Sequence, residues 1–151
     1  MKKTLGIVLS MLSVAVAAQN VQKQPEQRPM LNLAVYDTAN KVAKPIGTQY
    51  SVGKKGQQLC WVVINMPFQA RNSVTEIFHS PAEAQFGDPA GTTVSSEDKK
   101  RHQISMTLPS SSNEFIQRCW RFDHRDPLGQ YTLEVRVNDI VFPAQRFELI
   151  K

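Results

Sequence analysis

From residue 31 onward, apolar side chains recur at every second position in short runs, and each run is closed by a turn signal. Leu31, Leu33 and Val35 alternate with Asn32, Ala34 and Tyr36. The same alternation runs through Ile104, Met106 and Leu108, and through Tyr131, Leu133, Val135 and Val137. A period of two belongs to a strand with one buried face. A helical period nowhere holds for three turns. Strands are predicted over 31–36, 48–52, 59–64, 74–79, 102–108, 115–122, 130–138 and 142–150. The run Leu59-Cys60-Trp61-Val62-Val63-Ile64 is the most apolar beyond the N-terminus and predicts a central strand. Turns fall at Gly53-Lys54-Lys55-Gly56, Ser80-Pro81, 109–113 and Asn138-Asp139, while 37–47 and 82–91 read as loops. About seven short strands with turns roughly every eight to twelve residues predict an all-β chain folded as an antiparallel β-sandwich.

The N-terminus follows other rules. Lys2 and Lys3 precede an apolar stretch from Leu5 to Val16, and Ala17-Ala18 supplies small residues before the polar Gln19-Asn20. That layout predicts a signal peptide over 1–18, cleaved near Ala18. An uncleaved anchor is the competing reading, but the stretch is short for a membrane span. No cysteine follows it, so no lipid anchor can form there. Segment 19–29 is rich in Gln and Pro and predicts a flexible leader, leaving 30–151 as one domain. Export is expected to place the domain in the periplasm, with release from the cell as the alternative, and no stable membrane anchor is expected after cleavage.

The whole chain carries a formal charge of +5, and losing Lys2 and Lys3 lowers it to +3. Its longest basic run, Lys99-Lys100-Arg101, follows Glu97-Asp98 and reads as a solvated turn. No basic patch with interleaved aromatics points to nucleic acid. His79, His102 and His124 are scattered over three segments, with neither a His pair one helical turn apart nor a Cys/His cluster. Asp123 and His124 with a distant histidine form a weak metal candidate, and no metal or cofactor is expected. Gly-x-Ser-x-Gly, P-loop and dinucleotide-binding patterns are absent, so Ser110-Ser111-Ser112 reads as a turn and no catalytic residues are assigned.

The two cysteines occur as Cys60-Trp61 and Cys119-Trp120. In an exported chain they are expected to form one bridge, closing a loop of about sixty residues. Each lies in a predicted apolar strand, so the bridge is expected to be buried. If both cysteines face the core, alternation turns Trp61 and Trp120 the other way. The tryptophans then cover the outside of a sheet or lie beneath a loop. Otherwise they form an exposed aromatic patch that binds a partner or a sugar ring.

The segment Asp126-Pro127-Leu128-Gly129-Gln130-Tyr131 resembles the tyrosine corner of immunoglobulin-like sandwiches. That resemblance implies a structural role for Asp126, Gly129 and Tyr131. An antibody domain has a cysteine two residues after the tyrosine, where Leu133 stands here. If 59–64 and 115–122 are strands B and E of the immunoglobulin pattern, the bridge is cross-strand within one sheet. Over 119–149 the chain is similar to small exported proteobacterial immunoglobulin-like proteins. Among them it resembles a neisserial periplasmic accessory factor of type IV pilus assembly.

The resulting expectation is a non-catalytic periplasmic protein that binds a protein partner and assists an envelope or surface assembly. Strand 31–36 or the last strand is the expected docking edge. The alternatives are an inhibitor of an envelope hydrolase or a glycan-binding module, using Trp61, Trp120 or loop 80–91. A metal-dependent enzyme around His124 is the third reading.

Overall fold

A computed structural model describes residues 27–39 and 41–151. The expected signal peptide and most of the leader lie outside the described residues. Among the described residues eleven strands form two sheets: β1 (Met30–Asp37), β2 (Lys44–Pro45), β3 (Gln49–Ser51), β4 (Gln57–Ile64), β5 (Asn72–His79), β6 (Gly91–Ser95), β7 (Arg101–Leu108), β8 (Phe115–Trp120), β9 (Gly129–Val137), β10 (Ile140–Val141) and β11 (Gln145–Ile150). One sheet has the order β2-β1-β4-β8. The other has the order β3-β11-β9-β5-β7-β6, with β10 on β9. Every pairing is antiparallel except β3 with β11.

Alternation explains the layers. Leu59, Trp61 and Val63 of β4 face Val74 and Phe78 of β5, Leu133 and Val135 of β9, and Phe147 and Leu149 of β11, in one apolar core. Burial of these side chains supplies the main stabilisation of such a sandwich. The fold is an all-β, immunoglobulin-like sandwich with one disulfide. At the corner leading into β9, Gly129 has φ +128, a backbone state that glycine alone adopts freely. A Cβ there would also press on Pro81 at 3.3 Å. Two residues later the Tyr131 hydroxyl donates to the Pro127 carbonyl at 2.7 Å, forming a tyrosine corner. Asp126 holds the same loop by accepting the Asp123 N–H at 2.8 Å.

Several boundaries differ from the alternation. β6 lies where no strand was expected, because Gly-Thr-Thr-Val-Ser offers one apolar side chain, and that one, Val94, is exposed. β8 ends at Trp120, before Phe122, and β11 begins at Gln145, after a turn that carries Phe142 into the core. The last strand is not an edge over Glu148–Ile150, since β3 covers that side.

Candidate interaction surfaces

Cys60 and Cys119 are directly opposite one another on β4 and β8 and form the bridge. Their faces reverse the expectation. Trp61 and Trp120 point into the sandwich, and the cysteines point to the outside of the sheet. Cys60 is covered, but Cys119 is exposed on the edge strand, so the bridge is only half buried. Both parities of β4 are apolar, and the bulky indoles took the interior.

Trp61 is 0 % exposed and cannot belong to a binding surface in this state. Trp120 is half-buried. The Arg118 guanidinium lies 4.7 Å from its ring centre, and the rings of Phe78 and Phe86 pack against it in edge geometry. Little of either face is left to stack a sugar ring.

What draws both indoles inward is Glu76, a carboxylate on β5 that is 0 % exposed. Its Oε1 accepts from Trp61 Nε1 at 2.6 Å and from Trp120 Nε1 at 2.8 Å. Its Oε2 accepts from Arg118 Nε at 2.9 Å. Burial pushes this carboxyl above its ordinary value, while Arg118 and the indoles pull the other way. Both oxygens act as acceptors from donors that are always protonated, an arrangement that suits the ionised form. Arg118 reaches further, through a second nitrogen, to Asp88 Oδ2 at 2.7 Å. That bond, with the Ala90 N–H, holds the Asp88 carboxyl below its ordinary value.

Loop 80–91 is therefore latched to the core at two points, Asp88 on Arg118 and Phe86 stacked on Phe78 at 4.5 Å. Under the same loop His102 is buried, with Nδ1 sharing a hydrogen bond with Ser95 Oγ at 2.8 Å. Among the described residues its Nε2 has no hydrogen-bond partner, and burial depresses its pKa. Asp123, the loop partner of His124 in the metal candidate, is engaged by Arg125 in a charge-assisted pair. Among the described residues no three His, Cys, Asp or Glu side chains come together as a metal set.

The open backbone lies on β8. The Cys60 and Cys119 Cα atoms are 4.0 Å apart, the spacing of a non-hydrogen-bonded pair. Residues of that parity on β8 therefore aim N–H and C=O away from β4. Phe115 agrees, because its outward groups bond Ser111. Gln117 and Cys119 have no such cover, and no described residue takes their backbone groups. Alongside runs a groove of about 580 Å³ between Leu108, Pro109, Phe115 and Cys119. Two other stretches are open by the same reasoning, Leu31 and Leu33 on β1 and Thr93 and Ser95 on β6. Strand 31–36 is thus an edge over its first half only, since Val35 bonds Gly47 and β2 covers Tyr36 and Asp37. β8 combines an open ladder with an apolar groove and a covalent clamp to its neighbour.

Comparison with known proteins sets this architecture in a family. An uncharacterised Pasteurella multocida protein, PM0630, is 33% identical over 160 residues, covering 100% of both chains. An immunoglobulin-like protein from Pseudomonas aeruginosa superposes with a TM-score of 0.47 at 12% identity, over 84% of this chain and 100% of that one. A Pseudomonas fluorescens alkylpurine DNA glycosylase bound to abasic-site DNA gives a TM-score of 0.37 at 13% identity, over 82% of this chain and 30% of that one. Structural likeness at this level carries no statement of function. The family described as the PM0630 beta sandwich domain matches residues 31–150, and the chain belongs to it.

Proposed function

We propose that this chain is an exported, non-catalytic binding module of the Gram-negative cell envelope, and that it takes an extended segment of a protein partner onto the open edge of β8. The observation that carries the reading is the pair of uncovered residues, Gln117 and Cys119, beside the apolar groove. Strand addition needs these parts: main-chain groups for affinity and a groove for alternate side chains. The disulfide and the Arg118–Glu76 pair tie β8 to β4 and β5, which lowers the ordering cost of binding. The assembly it assists is type IV pilus biogenesis, the function implied by the resemblance of 119–149.

Gln117→Pro tests this reading. Proline removes an N–H that faces away from β4, so an edge strand accommodates it. The variant is expected to fold and to lose capture of the partner from envelope extract, while Gln117→Ala keeps capture. Equal capture by Gln117→Pro and the parent protein would refute strand addition at β8. Deleting the gene should disturb surface appendages or envelope complexes, and an unchanged envelope would contradict the accessory role.

A further inference from the structure

The corner of the sandwich away from β8 has a different chemistry. Asp37 of β1 is paired with Lys44 of β2 on one side and with Gln57 of β4 on the other. The Thr38 N–H and hydroxyl both donate to the Gly56 carbonyl, at 2.7 and 2.6 Å. Those bonds press the start of loop 38–43 against the turn 52–56. Four lysines thereby share one corner, Lys41 and Lys44 from the first segment and Lys54 and Lys55 from the second. All four are exposed. Among the described residues, none has a carboxylate within ion-pair distance. Asp37 is the sole acid on 37–57, and its Oδ1 already accepts the Ala39 N–H at 2.9 Å. Interleaved with the first two lysines are Val42, 68% exposed, and Ile46, 48% exposed.

Unpaired ammonium groups concentrated in one place attract an anionic partner. Exposed branched apolar side chains between them favour a partner with an apolar layer beneath its charges. A bilayer with anionic headgroups has both, since lysines bind at headgroup level while apolar side chains enter the acyl boundary. We infer that the corner formed by Lys41, Val42, Lys44, Ile46, Lys54 and Lys55 docks this domain reversibly on an anionic membrane surface. Lys41, Val42, Lys44 and Ile46 lie on the β2 side of β1, at the sheet edge opposite β8, so a domain docked through them keeps its open edge free.

Vesicle sedimentation with the mature chain tests the inference. Vesicles of phosphatidylethanolamine with phosphatidylglycerol should carry the protein down, and pure phosphatidylcholine vesicles should not. Binding should weaken steadily with salt. Replacing Lys41 and Lys44, or Lys54 and Lys55, by Ala should lower the partition coefficient about fivefold per lysine. Val42→Ser with Ile46→Ser should weaken binding while leaving the salt dependence unchanged. Equal binding to both vesicle types, no binding, or full binding by the lysine variants would overturn the inference. So would displacement by inorganic phosphate at constant ionic strength, which would mark a site for free anions. Gln117→Pro should bind vesicles like the parent chain, which separates this surface from the β8 edge.

Discussion

Glu76 is the side chain on which the interior polar chemistry converges. Its carboxylate collects two indole N–H groups and a guanidinium, so each of those donors depends on it. A buried ion pair adds little net stability, yet breaking one leaves a stranded charge. Arg118→Leu should therefore cost about 3–5 kcal/mol in urea unfolding. Glu76→Leu should cost a similar amount, because two buried indole N–H groups lose their acceptor while Arg118 keeps Asp88. His102 sets a pH dependence. Its folded pKa lies below the ordinary histidine value of about 6.5, so the unfolded chain takes up the proton first as pH falls. Its contribution is full above that value and is lost as pH drops through it toward the depressed folded value. Urea midpoints should fall between neutral and mildly acidic pH, and His102→Gln should flatten that slope; parallel profiles would exclude His102 as the cause. Glu76 carried a signal in the sequence. It shares the parity of Val74 and Phe78, so strand alternation alone places a carboxylate in the core.

Among the elements, β4 and β8 decide the molecule's character. Their pairing was legible in the cysteines and the immunoglobulin-like pattern, but their facing was not. Leu59, Trp61 and Val63 are no more apolar as a set than Cys60, Val62 and Ile64, so alternation could not choose a face. On β8 the charged Arg118 shares a face with Trp120, which suggests an outward face unless Glu76 is known to wait opposite. Edge strands were the hardest elements to read, because β6 and β2 bury almost nothing and leave no hydrophobic period. The bridge closes a long loop, with its cysteines 59 positions apart. Replacing both cysteines by Ser should cost about 2–4 kcal/mol and loosen the β8 edge. Denaturant unfolding gives the cost, and amide exchange at Arg118 and Ile116 reports the loosening. Tyr131→Phe should cost about 1 kcal/mol by deleting the tyrosine-corner bond.

For the molecule as a whole, two surfaces of unlike chemistry lie on one sheet. One is an open strand edge beside an apolar groove, and the other is a basic corner with apolar side chains. The sandwich between them holds both in fixed relation. A domain so built can meet a membrane with one side and a partner segment with the other. On the proposed reading β8 is the working edge. A photo-crosslinking residue placed at Gln117 in the producing cell, against the same residue at Val141 on the exposed β10, tests it most directly. One discrete adduct with an envelope protein is expected from position 117, lost when Cys119 is replaced by Pro together with Cys60→Ser, and none from position 141. No adduct at 117, or the same adduct from both positions, would contradict it.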